Sequence, residues 1–288
     1  MTAPAANPSV TATLEVAGVT VRFGGVVAVD DVSFVARTGE VLGVMGPNGA
    51  GKTTLFNVIS GVQRPTAGSV SLAGTALTGR SVENVAALGV TRTFQTPVMF
   101  WGLTVRESIE VALAAREFGA TYPPAPHREL VPCGIGAAQR RRAETALRDT
   151  ADAILTRAGI AATADRLTES LAFGEERLLE LARALAVEPT VLLLDEPLSG
   201  LNPDEIGAVI ASIRAAREDG VAVLLVEHAV GELLAVADRV VVLDHGRKIA
   251  EGAPQAVATD PLVIDAYIGD ELDAPAGSSF DGAQDDND

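Results

Sequence analysis

Two short stretches of this chain combine residue types that handle phosphate and its hydrolysis. The first is Gly46-Pro47-Asn48-Gly49-Ala50-Gly51-Lys52-Thr53, followed by Thr54. Its glycines let the backbone curl so that successive N–H groups aim at phosphate oxygens. A helix opening directly after it adds the positive end of its dipole. Lys52 is placed to neutralise the β- and γ-phosphates of a nucleoside triphosphate, and Thr53 to offer its hydroxyl to Mg²⁺. An ordinary strand–helix turn needs the glycines but not the Lys-Thr pair. The second stretch is Val191-Leu192-Leu193-Leu194-Asp195-Glu196. An apolar strand ends there in two carboxylates, at the edge where open α/β sheets bind ligands. Asp195 is expected to hold Mg²⁺ through water, and Glu196 to polarise the attacking water. Alone, this pattern also describes a strand with a charged cap before Pro197; the phosphate loop upstream decides for the chemistry.

These residues need elements to position them. Leu14–Phe23, Val32–Ala36 and Val41–Met45 read as strands, rich in Val and bounded by Gly and charge. A helix follows the Gly-rich loop from about Gly51 to Ser60, and Ser69–Ala73 is a further short strand. Thr104 with Glu107 three residues on has the form of a capping box opening a helix. Pro123, Pro124, Pro126 and Pro132 argue for irregular chain from Arg116 to Ile135. Ala137–Ala158 and Glu175–Val187 read as helices. Strands Val191–Leu194, Val221–Val226 and Val240–Leu243 then alternate with helices Pro203–Glu218 and Val230–Val236. Wholly apolar strands separated by helices imply a parallel sheet buried on both faces. The largely helical stretch 99–187 interrupts that plan and is expected to form a subdomain of its own.

Composition narrows the setting. A chain of 288 residues, 48% of them hydrophobic, can build a full core. A net charge of −16 opposes non-specific binding to nucleic acid or to bare anionic lipid. Cys133 is the single cysteine, so no intrachain disulfide can form, which fits a reducing compartment. Residues 1–13 lack the basic and apolar regions of a signal peptide and are expected to be a flexible tail. No apolar run reaches the length of a membrane span. Residues 270–288, rich in Asp, Gly, Ser and Ala, are expected to be a disordered acidic tail.

The phosphate loop and the Asp-Glu strand define a P-loop NTPase, and further stretches narrow it. Leu171-Ala172-Phe173-Gly174-Glu175 resembles the signature of ABC ATPases, and Leu181-Ala182-Arg183-Ala184-Leu185 continues the resemblance. Gln95, in Arg92-Thr93-Phe94-Gln95, resembles the Q-loop glutamine; Ser199-Gly200-Leu201-Asn202 the D-loop; His228 the switch histidine; Phe23 the adenine-stacking aromatic. Taken singly, Gln95 reads as a solvated amide, His228 as a cap or core histidine, and Phe23 as core. Their order along the chain favours the family reading. The resemblance implies a RecA-like α/β core with an antiparallel β subdomain and an inserted α-helical subdomain, within residues 14–269. It implies ATP and Mg²⁺ as cofactors. Two such domains would pair head to tail, with ATP held between one phosphate loop and the other signature. Gln95 would touch Mg²⁺ and sense the γ-phosphate, and His228 would help place the water. The signature serine is Ala172 here, which removes a hydroxyl donor and is expected to weaken the site it serves. Asn202 stands for the usual aspartate and keeps an acceptor.

The runs Phe23–Asp30 and Arg92–Gln95, and Asp260–Gly269, resemble one subgroup, the ATPases of branched-chain amino-acid importers. The expected partners are transmembrane permease subunits, a second ABC ATPase and an external substrate-binding protein, with no nucleic acid. The place would be peripheral, on the cytoplasmic face of the membrane. Importers of urea or short amides, other ABC transporters, and ABC ATPases without a transporter are the alternatives. Ribosomal members carry tandem cassettes and DNA-repair members a long coiled coil, neither of which is visible. Arg140-Arg141-Arg142 reads as a solvated helix face.

Overall fold

The computed structural model describes residues 12–94, 98–118 and 137–273. Strands β1 (Ala12–Phe23), β2 (Val26–Arg37) and β3 (Val41–Met45) lead into helix α1 (Lys52–Ile59). Then come β4 (Ala67–Leu72), β5 (Thr75–Ala76), α2 (Val82–Ala87) and β6 (Val90–Arg92). Helices α3 (Val105–Phe118), α4 (Ala137–Arg157) and α5 (Phe173–Ala186) follow. The chain closes with β7 (Val191–Asp195), α6 (Pro203–Glu218), β8 (Ala222–Val226), α7 (Val230–Val236), β9 (Arg239–Asp244), β10 (Arg247–Gly252), α8 (Pro254–Ala258) and α9 (Pro261–Asp273).

Two sheets organise these elements. A four-stranded antiparallel sheet has the order β2-β1-β4-β5. A six-stranded sheet has the order β10-β9-β3-β8-β7-β6, parallel from β9 to β6, with β10 added antiparallel at one edge. Its central strands β3, β7 and β8 are buried at every residue, because helices or the second sheet cover both faces. Alternation sorts the side chains: Val191 and Leu193 join α1 and the antiparallel sheet in one core, while Leu192 and Leu194 join α3, α4, α5 and α6 in another. Each such Val or Leu, fully buried, contributes about 1.5–3 kcal/mol. The expected α/β plan is therefore present. The helical stretch does not bury its own separate core; its apolar faces continue into the underside of the sheet.

Several local expectations change. β2 starts at Val26, since Gly24, at φ 58°, turns the chain into a hairpin rather than a loop. Arg116 to Phe118 belong to α3 and are not irregular as expected; residues 119–136, with Cys133, lie outside the described residues. β5, α2, β6, β10, α8 and α9 were not anticipated as elements. α9 runs to Asp273, past the expected start of the acidic tail at Asp270, and residues 274–288 lie outside the described residues. Residues 1–11 also lie outside them. The Thr104 capping box forms as expected: the Thr104 N–H donates to Glu107 Oε2 at 2.8 Å, and the Glu107 N–H to Thr104 Oγ1 at 3.2 Å.

Candidate functional site

The phosphate loop joins the end of β3 to the start of α1. Gly46, Gly49 and Gly51 have φ of 150°, 78° and 100°, which a side chain would strain. At Gly46 and Gly51 a side chain would also run into the carbonyl oxygens of Leu243 and Ala28. α1 has no side-chain cap, so the N–H groups of its first turn are not claimed by one. Lys52 is buried, and its Nζ donates to the carbonyls of Gly46 at 2.5 Å and Pro47 at 2.9 Å. Its ammonium thus lies folded back along the loop. Thr53 is exposed at the helix start. Phe23, at the end of β1, leaves 51% of its surface open, which suits a platform for a flat ring and not a core role.

Parallel pairing of β7 with β8 and β6 sets Asp195 beside Arg92, which in turn reaches α1. Asp195 Oδ2 accepts from Arg92 Nη2 at 2.8 Å, with both side chains buried. Arg92 Nη1 also donates to Asn57 Oδ1 at 2.6 Å and to Ser60 Oγ at 3.2 Å, both on or just after α1. Rings of Phe56 and Phe94 flank the same guanidinium, at 5.8 Å and 5.3 Å. Asp195 Oδ1 is buried and has no hydrogen-bond partner among the described residues. A buried carboxylate oxygen left so is costly unless something else meets it.

One residue on, Glu196 has φ 52°, and its N–H donates to the Val226 carbonyl at 2.9 Å. Its Oε1 lies 2.7 Å from His228 Nε2. Glu196 and His228, each singled out by its own motif, are thus brought together across the ends of β7 and β8. Glu227, the residue before His228, carries no motif and is not singled out by the sequence. It is buried, and its Oε1 accepts from the Leu198 N–H at 2.7 Å. Burial pushes its carboxyl up to about 7, with Glu232 and Glu196 adding to the rise. The Leu198 and His228 amides act the other way.

The signature stretch begins α5. Leu171 is half-buried and Ala172 exposed, Ala172 being the N-cap residue, and its N–H donates to Glu175 Oε2 at 2.9 Å. Gly174 leaves room only for the Glu205 carboxylate of α6. Phe173 is 44% exposed, and its ring borders Gly200. Ser199 is exposed. Asn202 caps α6: its Oδ1 accepts from the N–H groups of Asp204 and Glu205, each at 3.0 Å. Gln95 lies outside the described residues.

Arg92 is the site residue least visible in the sequence. It stands there only as part of a run, yet it contacts Asp195. A lone arginine three residues before Gln95 carries no local signal; only the order of β6 beside β7 reveals its place.

Known proteins place the chain. A family model for the ABC transporter matches residues 29–199, and one for the branched-chain amino acid ATP-binding cassette transporter matches residues 247–273. The chain is 36% identical over 264 residues to LivG, a high-affinity branched-chain amino acid transport ATP-binding protein of Salmonella typhimurium, covering 89% of this chain and 98% of that one. BraF of Pseudomonas aeruginosa, of the same description, gives the same identity and coverage. Among solved structures, MJ1267, an ATP-binding cassette of an ABC transporter, matches with a TM-score of 0.75 at 28% identity, over 90% of this chain and 100% of that one. The phosphate loop, the Asp195–Glu196 strand end and the two-sheet fold agree with this likeness, and the chain belongs to the ATP-binding cassette family of transporter ATPases.

Proposed function

We propose that this chain is the ATP-hydrolysing subunit of a membrane importer for branched-chain amino acids. One observation carries the reading. The stretch 247–273, which matches the branched-chain model, folds as β10, α8 and α9 onto the cassette that holds the phosphate loop.

Within the cassette, Gly46 to Thr54 bind the ATP phosphates, and Phe23 stacks on the adenine. The residues present also fit Mg²⁺, since Asp195 Oδ1 is a buried carboxylate oxygen without a partner among the described residues and Thr53 is exposed at the helix start. When bound, Mg²⁺ would neutralise charge on the phosphates. Glu196 accepts a proton from the attacking water, and His228, at 2.7 Å, holds the carboxylate in place. Gln95 senses the γ-phosphate and Mg²⁺; this role rests on the motif alone.

A second ATPase subunit supplies the other half of the assembly. Leu171 to Glu175 face the ATP of that partner, with Ser199 beside them. No helix among the described residues is long and apolar enough to cross a membrane. Attachment therefore falls to permease subunits. Phe94, Val98 and Trp101, at 48%, 54% and 78% exposed, flank residues 95–97 and supply an apolar surface suited to a permease loop. A substrate-binding protein on the other side of the membrane delivers the solute. The chain works at the cytoplasmic face.

Copurification tests this. The tagged chain is extracted from membranes in mild detergent, and its companions are identified by mass spectrometry. Two multi-span proteins and a second ATPase are expected, and the associated binding protein should bind leucine, isoleucine or valine. Recovery of a binding protein specific for urea or amides would move the solute. Recovery of ribosomal or DNA-bound proteins without a permease would remove transport.

A further inference from the structure

The chain just before Gln95 is gripped from the side by α5. The Phe94 N–H donates to Glu180 Oε1 at 3.2 Å, and the Phe94 carbonyl accepts from Arg177 Nη1 at 3.0 Å. Arg177 and Glu180 pair with each other at 3.3 Å, and their side chains are 5% and 7% exposed. Both main-chain polar groups of one residue are thus satisfied by a buried ion pair on the helix that the signature opens.

Arg177 reaches further. Its guanidinium lies 5.2 Å from the centre of the Phe173 ring. A side chain at Gly200, in the D-loop stretch, would stand 3.2 Å from that ring. On the other side, the Phe94 ring lies 5.3 Å from the guanidinium of Arg92, which binds Asp195 and α1. A continuous line of contacts therefore joins α1 and Asp195, through Arg92, Phe94 and Arg177, to Phe173 and Gly200.

Stability alone does not account for the pair. A buried ion pair is commonly replaced by apolar residues of similar volume without loss. An apolar pair cannot hold one chosen peptide by both its N–H and its C=O.

We propose that Arg177 and Glu180 are positioning residues that make Phe94, Phe173 and Gly200 move as one body. Nucleotide held by the phosphate loop is thereby reported, within a single subunit, to the signature stretch that serves the partner. The inference rests on ATP binding at that loop and not on the transported solute.

The test is amide hydrogen exchange on the isolated full chain, with and without Mg²⁺ and a non-hydrolysable ATP analogue. In the wild type, nucleotide should slow exchange across residues 172–177 as well as in the phosphate loop. In Arg177→Met and Glu180→Leu, the Phe94 amide should exchange about tenfold faster, and the response across 172–177 should be lost. Nucleotide affinity, from fluorescence titration, should stay within about twofold, because neither residue lies on the phosphate loop. If the apolar variants fail to fold, Arg177→Lys keeps the charge without the fork and should show both changes at smaller amplitude. A protected Phe94 amide in the variants, or a surviving response across 172–177, overturns the proposal. Failure of the wild type to bind the analogue would instead sink the ATP site itself.

Discussion

At Glu196 the backbone and the side chain answer to different neighbours. The backbone sits in the left-handed region, fastened to the Val226 carbonyl. For a residue with a Cβ that conformation costs about 1–2 kcal/mol. It turns the carboxylate toward His228 and away from the strand. Glu196→Gln keeps the size and one hydrogen bond but cannot take a proton. Phosphate release is expected to fall about 100-fold or more, with nucleotide binding retained. Wild-type turnover in that variant would remove Glu196 from the chemistry. Glu196, His228 and Asp195 were legible in the sequence because each stands in a local motif at a strand end. Arg92 was not. A charged residue before a polar loop reads as solvated, and only pairing between strands far apart in sequence brings it to 2.8 Å from Asp195. Glu227 escaped for the same reason: its hydrogen-bond partner is the Leu198 N–H, on the loop after another strand.

At the scale of elements, α5 and α6 start differently, and the difference falls on the signature. Asn202 gives α6 a complete reciprocal cap, accepting two N–H groups while its own N–H donates to Glu205 Oε2 at 2.9 Å. At α5, Glu175 accepts from Ala172, but Ala172 has no oxygen to return. Ala172→Ser would complete the box. Thermal unfolding should then show a gain of about 1 kcal/mol, and ATPase activity of the assembled complex should rise. An unchanged melting curve would mean that the serine does not cap. A cap and a proline mark the start of α6, whereas α7 has neither and is read from its apolar spacing alone. Pro203–Glu218 was expected with its observed bounds, as was Val230–Val236. The two-residue β5 and the edge strand β10, half-exposed and rich in charge, lack the apolar run by which strands are read. α9 was hidden because its last residues, Asp270 to Asp273, share the acidic composition of residues 274–288.

For the molecule as a whole, Glu227 ties stability to pH. Its carboxyl is raised from about 4.5 to about 7, so between those values the folded chain keeps a proton that the unfolded chain has lost. Stability therefore falls as pH rises through that window, and the loss is complete above it. Its size is about 3 kcal/mol. Glu227→Gln preserves an acceptor for the Leu198 N–H and has no charge to bury. Its unfolding temperature should match the wild type near the bottom of the window and exceed it by about 4–6 °C at pH 8. Parallel curves across the range would show that the carboxyl is not perturbed. The overall architecture was legible, since apolar strands and helices alternate along most of the chain. The continuity of the helical layer with the sheet was not, because it depends on which faces meet.

The position of α9 has a consequence for how deletions are interpreted. Val263 of α9 and Val257 of α8 share one buried cluster with Met45, the last residue of β3 before Gly46. The far end of the chain is thus a footing under the phosphate loop. Cutting the chain at Pro261 would withdraw that support and surface as poor nucleotide binding, although no nucleotide contact had been removed. A map of such truncations would draw the ATP site larger than it is, and a fusion partner joined there would push on the loop from beneath.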